Sequence, residues 1–210
     1  MIKLIVNTPK GGVGKTTTAT NIALFLAQKG YRVWAIDLAG GLLMSQALLN
    51  TPEFYAPNVI NKIDSREAKK VPTNFPGAAN FDFAVLDTDD SFTVGDDLLQ
   101  GNRPGWRVIS PVNPHDNVGL QRIPREIKAV ATTAYLSSSK LQISIFANMA
   151  YGGDVINGQT NLKEALRDCG LEGLLLKTIL PYTPSHTAPI LLSDQNYKSA
   201  LENLLGEIGV

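Results

Sequence analysis

The chain has 210 residues, 44% of them apolar, with eighteen glycines and a formal net charge of zero. That size suits one α/β domain spanning residues 1–210 with a core of its own, and balanced charge excludes a global field drawing it onto nucleic acid or membrane. A lone cysteine, Cys169, excludes a disulfide framework and a Cys-ligated metal site, and fits a reducing cytoplasm.

In chain order, the apolar run Ile2 to Val6 predicts a first strand with no charged leader ahead of it, and no run reaches the length of a membrane span. Residues 9 to 17 then read Pro-Lys-Gly-Gly-Val-Gly-Lys-Thr-Thr, and an amphipathic segment begins at Thr16. Strand, glycine-rich turn, helix is the context of a phosphate-binding loop. Gly11, Gly12 and Gly14, with Val13 between them, let successive N–H groups face phosphate oxygens, and the helix adds its unpaired N–H groups and positive dipole end. Lys15 is placed for the β- and γ-phosphates, the Thr16 hydroxyl for Mg²⁺, and Thr17 for the α-phosphate. The blander reading is a glycine-rich turn holding a chance Gly-Lys-Thr.

Ala19, Ile22, Ala23 and Leu26 form one helical stripe, with Gly30 as a C′ residue. Tyr31 to Ile36 predicts a buried strand ending in Asp37, and strand, crossover helix, parallel strand builds a doubly wound sheet. Leu42 to Leu49 predicts a short helix, and Val59 to Ile63 a short strand within a stretch rich in Pro and Asn. Arg66, Lys69 and Lys70 make a small basic cluster. Phe83 to Leu86 predicts a strand ending in Asp87. Ligands of such sheets lie beyond the carboxyl ends of the strands, so Asp37 and Asp87 are candidates to hold Mg²⁺ through its waters. Either aspartate could instead cap the helix after it.

Trp106 to Ser110 predicts another strand, followed by a helix to about Ala134 that Pro124 should kink or restart. Arg122, Arg125 and Lys128 fall on one face of it. Leu141 to Ala147 predicts a strand with Asn148 after it, and Leu162, Ala165, Leu166 and Cys169 a helical stripe closed by Gly170. Leu174 to Leu180 predicts the last strand. His115 and His186 read as surface or structural residues, neither beside a second ligand. A final helix capped by Ser193 places Tyr197, Ala200, Leu201, Leu204, Leu205 and Ile208 on one stripe. Its polar face carries Lys198 against Glu202 and Glu207, which disfavours a membrane surface and predicts packing on its own domain.

The loop departs from G-x-x-x-x-G-K-[ST] by having Pro9 where glycine is expected, and adds a second lysine, Lys10, five residues ahead of Lys15. In this it resembles the deviant-Walker P-loop ATPases of the ParA/MinD family, whose pattern is K-G-G-x-G-K-[ST]-T. The resemblance covers essentially the whole chain and implies an ATP-dependent homodimer in which Lys10 crosses to the partner's nucleotide. It implies ATP and Mg²⁺ as ligands, Asn148 on the adenine, and the loop from Pro181 to Pro189 against the base's other side. With nothing ahead of the first strand, the chain looks like the short plasmid-type ParA, without a helix-turn-helix domain. Such proteins bind DNA nonspecifically and answer to a small centromere-binding or adaptor protein.

One departure bears on catalysis. The family usually reads D-x-D-P-Q after its second strand, its second aspartate orienting the attacking water. Here the run is Asp37-Leu38-Ala39-Gly40-Gly41, while Asp89 and Asp90 come shortly after Asp87. Three readings stand: hydrolysis is crippled, Asp89 or Asp90 substitutes, or Ala39 was introduced to trap ATP. Beside the partition or positioning switch stand two other functions, a non-hydrolysing ATP-dependent scaffold and a metabolic P-loop ligase or kinase. The last has no use for Lys10.

Overall fold

The computed structural model describes residues 1–51, 62–68, 70–72, 77–94, 98, 105–136, 141–150, 154–183 and 194–210. The strands are β1 (Ile2–Val6), β2 (Val33–Asp37), β3 (Ile63–Glu67), β4 (Phe83–Asp87), β5 (Trp106–Val112), β6 (Gln142–Ala150) and β7 (Leu175–Pro181). The helices are α1 (Lys15–Gln28), α2 (Leu43–Leu49), α3 (Asn117–Leu136), α4 (Val155–Arg167) and α5 (Gln195–Glu207). The strands form one sheet in the order β3-β2-β4-β1-β5-β6-β7, every pairing parallel. This is the doubly wound α/β architecture that the sequence predicts, with β1 and its glycine-rich loop at the centre.

Both faces of the sheet are buried, as a parallel sheet requires. Leu4 and Val6 of β1 and Val33 and Ala35 of β2 point into one core with α1 and α5. Ile5, Trp34 and Ile36, one residue out of phase, point into the opposite core with Val94, Leu98 and Trp106. A third cluster joins Val112 and Ile145 to Ile123 and Ile127 of α3 and Leu162 and Leu166 of α4. Deleting one such side chain, as in Leu24→Ala on α1, removes about 2–5 kcal/mol of stability.

The predicted stripe on α1 understates its burial. Thr18, Thr20, Asn21, Leu24, Phe25 and Ala27 are buried along with Ala19, Ile22, Ala23 and Leu26. The sheet covers one side of α1, while α2 and α5 pack on others. Three polar contacts hold α5 in place. Lys29 pairs with Glu202 at 2.5 Å. The Glu207 carboxylate accepts the Lys177 and Thr178 N–H groups at 2.8 Å each and the Thr178 hydroxyl. Arg107 Nη1 donates to the carbonyls of Ile208 and Gly209 at 2.7 and 2.9 Å. The tail thus packs on its own domain. Among the described residues, no helix is long and apolar enough to cross a membrane.

Several boundaries differ from expectation. The cap of α5 is Asp194, whose carboxylate accepts N–H bonds from Asn196 and Tyr197; Ser193 lies outside the described residues. α3 runs through Pro124 without ending, because Ile123, Pro124 and Ile127 are buried together, and that packing offsets the bond a proline cannot donate. β6 continues past Ala147 through Asn148 to Ala150. β3 starts at Ile63; residues 59 to 61 of the expected strand, and Lys69 of the basic cluster, are outside the described residues. Arg66 pairs with Asp64 at 2.7 Å and lies over the Trp34 ring, so this edge strand carries charged side chains along its exposed side.

Candidate functional site

The loop between β1 and α1 lies beyond the carboxyl end of the central strand. Gly12 and Gly14 adopt φ of 72° and 89°, the left-handed region that glycine enters without steric cost. Its base is fixed from both sides. The Thr8 hydroxyl donates to the Pro111 carbonyl at 2.8 Å, and the Asn7 amide donates to Thr88 Oγ1 at 3.0 Å. The Lys15 side chain is only 7% exposed, and its Nζ donates to the Lys10 carbonyl at 2.7 Å. Its other partner is Asp90 Oδ1 at 2.5 Å.

A cavity of about 340 Å³ opens here. Gly12, Lys15, Thr16 and Thr17 form one wall, with Ala39, Gly40, Asp89 and Asp90 also lining it. The Ala39 methyl is therefore on the site, where the resemblance expects a carboxylate.

The two strand-end aspartates are both fully buried and occupy equivalent register positions on β2 and β4. Asp37 accepts the Ala39 N–H on Oδ1 at 3.1 Å and the Ser45 N–H on Oδ2 at 2.9 Å. It thereby fastens the turn into α2, where Leu42 takes a left-handed φ of 51°. The helix-capping role is thus present at Asp37. At Asp87 it is absent: no helix N–H comes to either carboxylate oxygen, whose polar neighbours are the Thr16 hydroxyl and the Thr88 N–H. Burial pushes the Asp87 carboxyl up to about 7; the Thr16 hydroxyl holds it down, and the Asp37 charge adds to the rise. A fully buried carboxylate beside a threonine hydroxyl, in no ion pair among the described residues, fits a divalent cation: the ion would supply the missing charge, and oxygen ligands suit Mg²⁺.

Lys10 folds back onto its own chain, its Nζ paired with Asp116 just ahead of α3. Asp116 Oδ1 also accepts the Gly119 N–H at 3.1 Å, and the Lys10 hydrogen bond holds its carboxyl below the ordinary range. Sequence reasoning does not single out Asp116. Its one signal is its place, a carboxylate immediately preceding a helix and able to cap it.

Asn148 is buried, and its Nδ2 donates to the Val13 carbonyl at 2.7 Å. A Cβ added at Gly14 would overlap the same amide. The pairing of β6 with β7 shifts between Asn148 and Ala150, and Met149 in between has a positive φ of 60°. This bulge re-aims Asn148 at the loop. Pro181 ends β7 opposite Ala150, so the two strand ends bring Asn148 and Pro181 to one edge of the site. The loop beyond residue 183, with His186 and Pro189, lies outside the described residues. His115 is exposed, and Cys169 packs partly buried against the α3 and α4 cluster.

A family model for the CobQ/CobB/MinD/ParA nucleotide binding domain matches residues 4–189. The chain belongs to this family. Among curated proteins it is similar to a putative replication protein A of Sinorhizobium fredii, 26% identical over 155 residues, covering 67% of this chain. The match spans 38% of that relative's own length. Among solved structures it superposes on MinD in the MinC:MinD cell division complex of Aquifex aeolicus, with a TM-score of 0.73 and 17% identity, covering 100% of this chain and 96% of the other. A plasmid partition protein of Borrelia burgdorferi bound to AMPPNP superposes with a TM-score of 0.63 and 16% identity, covering 99% and 98% of the two chains. At those identities, the structural matches establish the shared fold.

Proposed function

We propose that this chain is an ATP-dependent dimerising switch of the ParA type, serving DNA partition or intracellular positioning, with ATP hydrolysis slowed by Ala39. The observation that carries it is the enclosed Lys15 amine on a glycine loop, close enough to the fully buried Asp87 carboxylate for its charge to act there. Backbone N–H groups from Gly11 to Gly14 cradle the phosphates, Lys15 neutralises them, and Thr17 adds a contact. Thr16 and Asp87 hold Mg²⁺, with Asp37 behind them fixing the turn that carries Ala39. The ion, when bound, neutralises charge that develops on the phosphoryl oxygens. Asn148 and Pro181 flank the adenine; for this Asn148 exchanges its bond to Val13 for one to the base.

Lys10 leaves Asp116 and reaches the nucleotide of a second copy, making dimerisation depend on the γ-phosphate. A small centromere-binding or adaptor protein and nonspecific DNA are the proposed partners, and the nucleoid the proposed location. DNA contact rests on the exposed Arg125 and Lys128 of α3; Arg122 beside them is paired with Glu126. The second reading, a non-hydrolysing ATP-dependent scaffold, draws on the Ala39 methyl in the cavity wall. The deciding measurement is molecular mass in solution with ADP and with ATP, each with and without DNA. Dimers with ATP alone support the switch; one mass under all conditions overturns it. DNA binding should be independent of sequence and fall steeply with salt.

A further inference from the structure

We infer that the Asp90 carboxylate is an internal stand-in for a nucleotide phosphate, which ATP must displace from Lys15 and which then turns to Arg122 on α3. This rests on the reading of the loop as a nucleotide site. The Lys15 ammonium is enclosed, while the Asp90 side chain is 58% exposed and reaches in from the loop after β4 to meet it at 2.5 Å. The other oxygen of Asp90 lies over the glycine loop itself: a Cβ added at Gly11 would stand 2.6 Å from Oδ2. One carboxylate oxygen is thus on the lysine and the other against the backbone that the glycines leave bare. An oxyanion of a bound phosphate makes the same two kinds of contact, so the two anions compete for one place.

Asp89 does not share this position. Its Oδ1 accepts the Ser91 N–H at 2.9 Å and the Ser91 hydroxyl at 2.6 Å, which turns it toward its own loop.

Where Asp90 goes when displaced is indicated by a second cavity, of about 250 Å³, between this loop and α3. Asp90 lines both cavities, and Arg122 and Glu126 line the second with the apolar Phe92, Val94 and Ile127. The Arg122 guanidinium pairs with Glu126 one helical turn away and already feels the Asp90 charge. A carboxylate released from Lys15 therefore has a cation on a wall it already shares. Occupancy of the phosphate loop is then read out at the surface of α3.

The test is calorimetric titration of Mg²⁺ with ATP into the unmodified chain and into Asp90→Asn, Arg122→Gln and the double variant. Removing a competing, solvent-screened ion pair should tighten ATP binding about three- to tenfold in Asp90→Asn. Arg122→Gln should weaken it about twofold, an effect that vanishes when Asp90 is already Asn. Unchanged or weaker binding by Asp90→Asn, while the unmodified chain binds ATP, overturns the stand-in and leaves the nucleotide reading intact. A persisting Arg122 effect in the double variant overturns the transfer to α3. Failure of every form to bind ATP overturns the nucleotide reading and the stand-in together. Melting curves without nucleotide accompany each titration, and Asp90→Ser serves as a second substitution should Asp90→Asn not fold.

Discussion

Asp37 and Asp87 are register partners at the ends of neighbouring strands, yet the first accepts two N–H groups from the turn into α2 and the second has only the Thr16 hydroxyl and the Thr88 N–H beside it. The difference lies in the turn at the end of each strand. After β2, the turn through Gly40 and Gly41 wraps back, so that Ala39 and Ser45 donate to Asp37. After β4, the Thr88 hydroxyl donates to the Val6 carbonyl at 2.8 Å instead, and no helix N–H is brought to the oxygens of Asp87.

The first prediction rests on the burial of Asp87, which outweighs the hydrogen bonds that favour its charged form. With its carboxyl raised to about 7 from an ordinary 3.8, folded Asp87 holds a proton over a range where the unfolded chain has lost it. Stability without nucleotide or metal should therefore fall as pH rises through that window and level off above it. Asp87→Asn should remove the decline, raising the melting temperature above about pH 7 while changing it little below about pH 4. Melting temperature against pH for the two proteins checks the sign. A decline equal in both would assign it to another group.

The second prediction concerns Lys10. Lys10→Ala should bind ATP as a monomer, whereas Lys15→Ala should lose the nucleotide itself. Asp116→Ala frees Lys10 from its tie within the chain and should favour the ATP dimer. Sedimentation with ATP separates the cases. Normal dimerisation by Lys10→Ala would sink the crossing of Lys10 to the second copy's nucleotide.

Glu207 gives a third, about stability alone. Burial opposes its charge, but hydrogen bonds from Thr178 and Lys177 outweigh burial and hold its carboxyl below the ordinary 4.5. Its contribution is therefore present above that value and lost as pH falls through the lower folded one. Because the carboxylate is largely solvated, Glu207→Ala should cost only about 1 kcal/mol near neutral pH. Chemical denaturation of both proteins, near neutrality and in acid, measures it; a cost unchanged in acid would remove the electrostatic part of the account.

The strand, glycine-rich loop and helix around Lys15 were legible because the signal is local: glycines, lysine and threonine adjoin in the chain, between a strand and a helix. Strand ends were legible for the same reason, since an apolar run stopping at an aspartate marks the end of a buried strand. The features that were not legible depend on distant segments. The all-round burial of α1 requires α5, from the far end of the chain. The bulge that aims Asn148 has no sequence mark beyond the strand itself, and Met149 is an unexpected residue for a left-handed φ. That Asp90 rather than Asp89 meets Lys15 is due to Ser91, which draws Asp89 away.

The last prediction is about Ala39. Phosphoryl transfer to water needs the nucleophile held in line with the leaving oxygen, and a positioned carboxylate is the group expected to hold it. The Ala39 side chain is 8% exposed and lines the cavity beside the glycine-rich loop, with a methyl to offer the water. Both acidic neighbours line the same cavity but are engaged in this state, Asp89 with Ser91 and Asp90 with Lys15. The groups proposed for binding, Lys15, Thr16 and Asp87, are all in position. ATP should accordingly bind, and turnover should be slow. A general base contributes roughly 10²- to 10⁴-fold, and Ala39→Asp should recover part of that range while shortening the life of the ATP dimer. Single-turnover hydrolysis, with dimer mass followed in parallel, measures both effects. Rapid turnover by the present sequence, unaltered in Ala39→Asp, would place the water-holding group elsewhere. Loss of that turnover in Asp89→Ala or Asp90→Ala would then identify the carboxylate that moves in once nucleotide is bound.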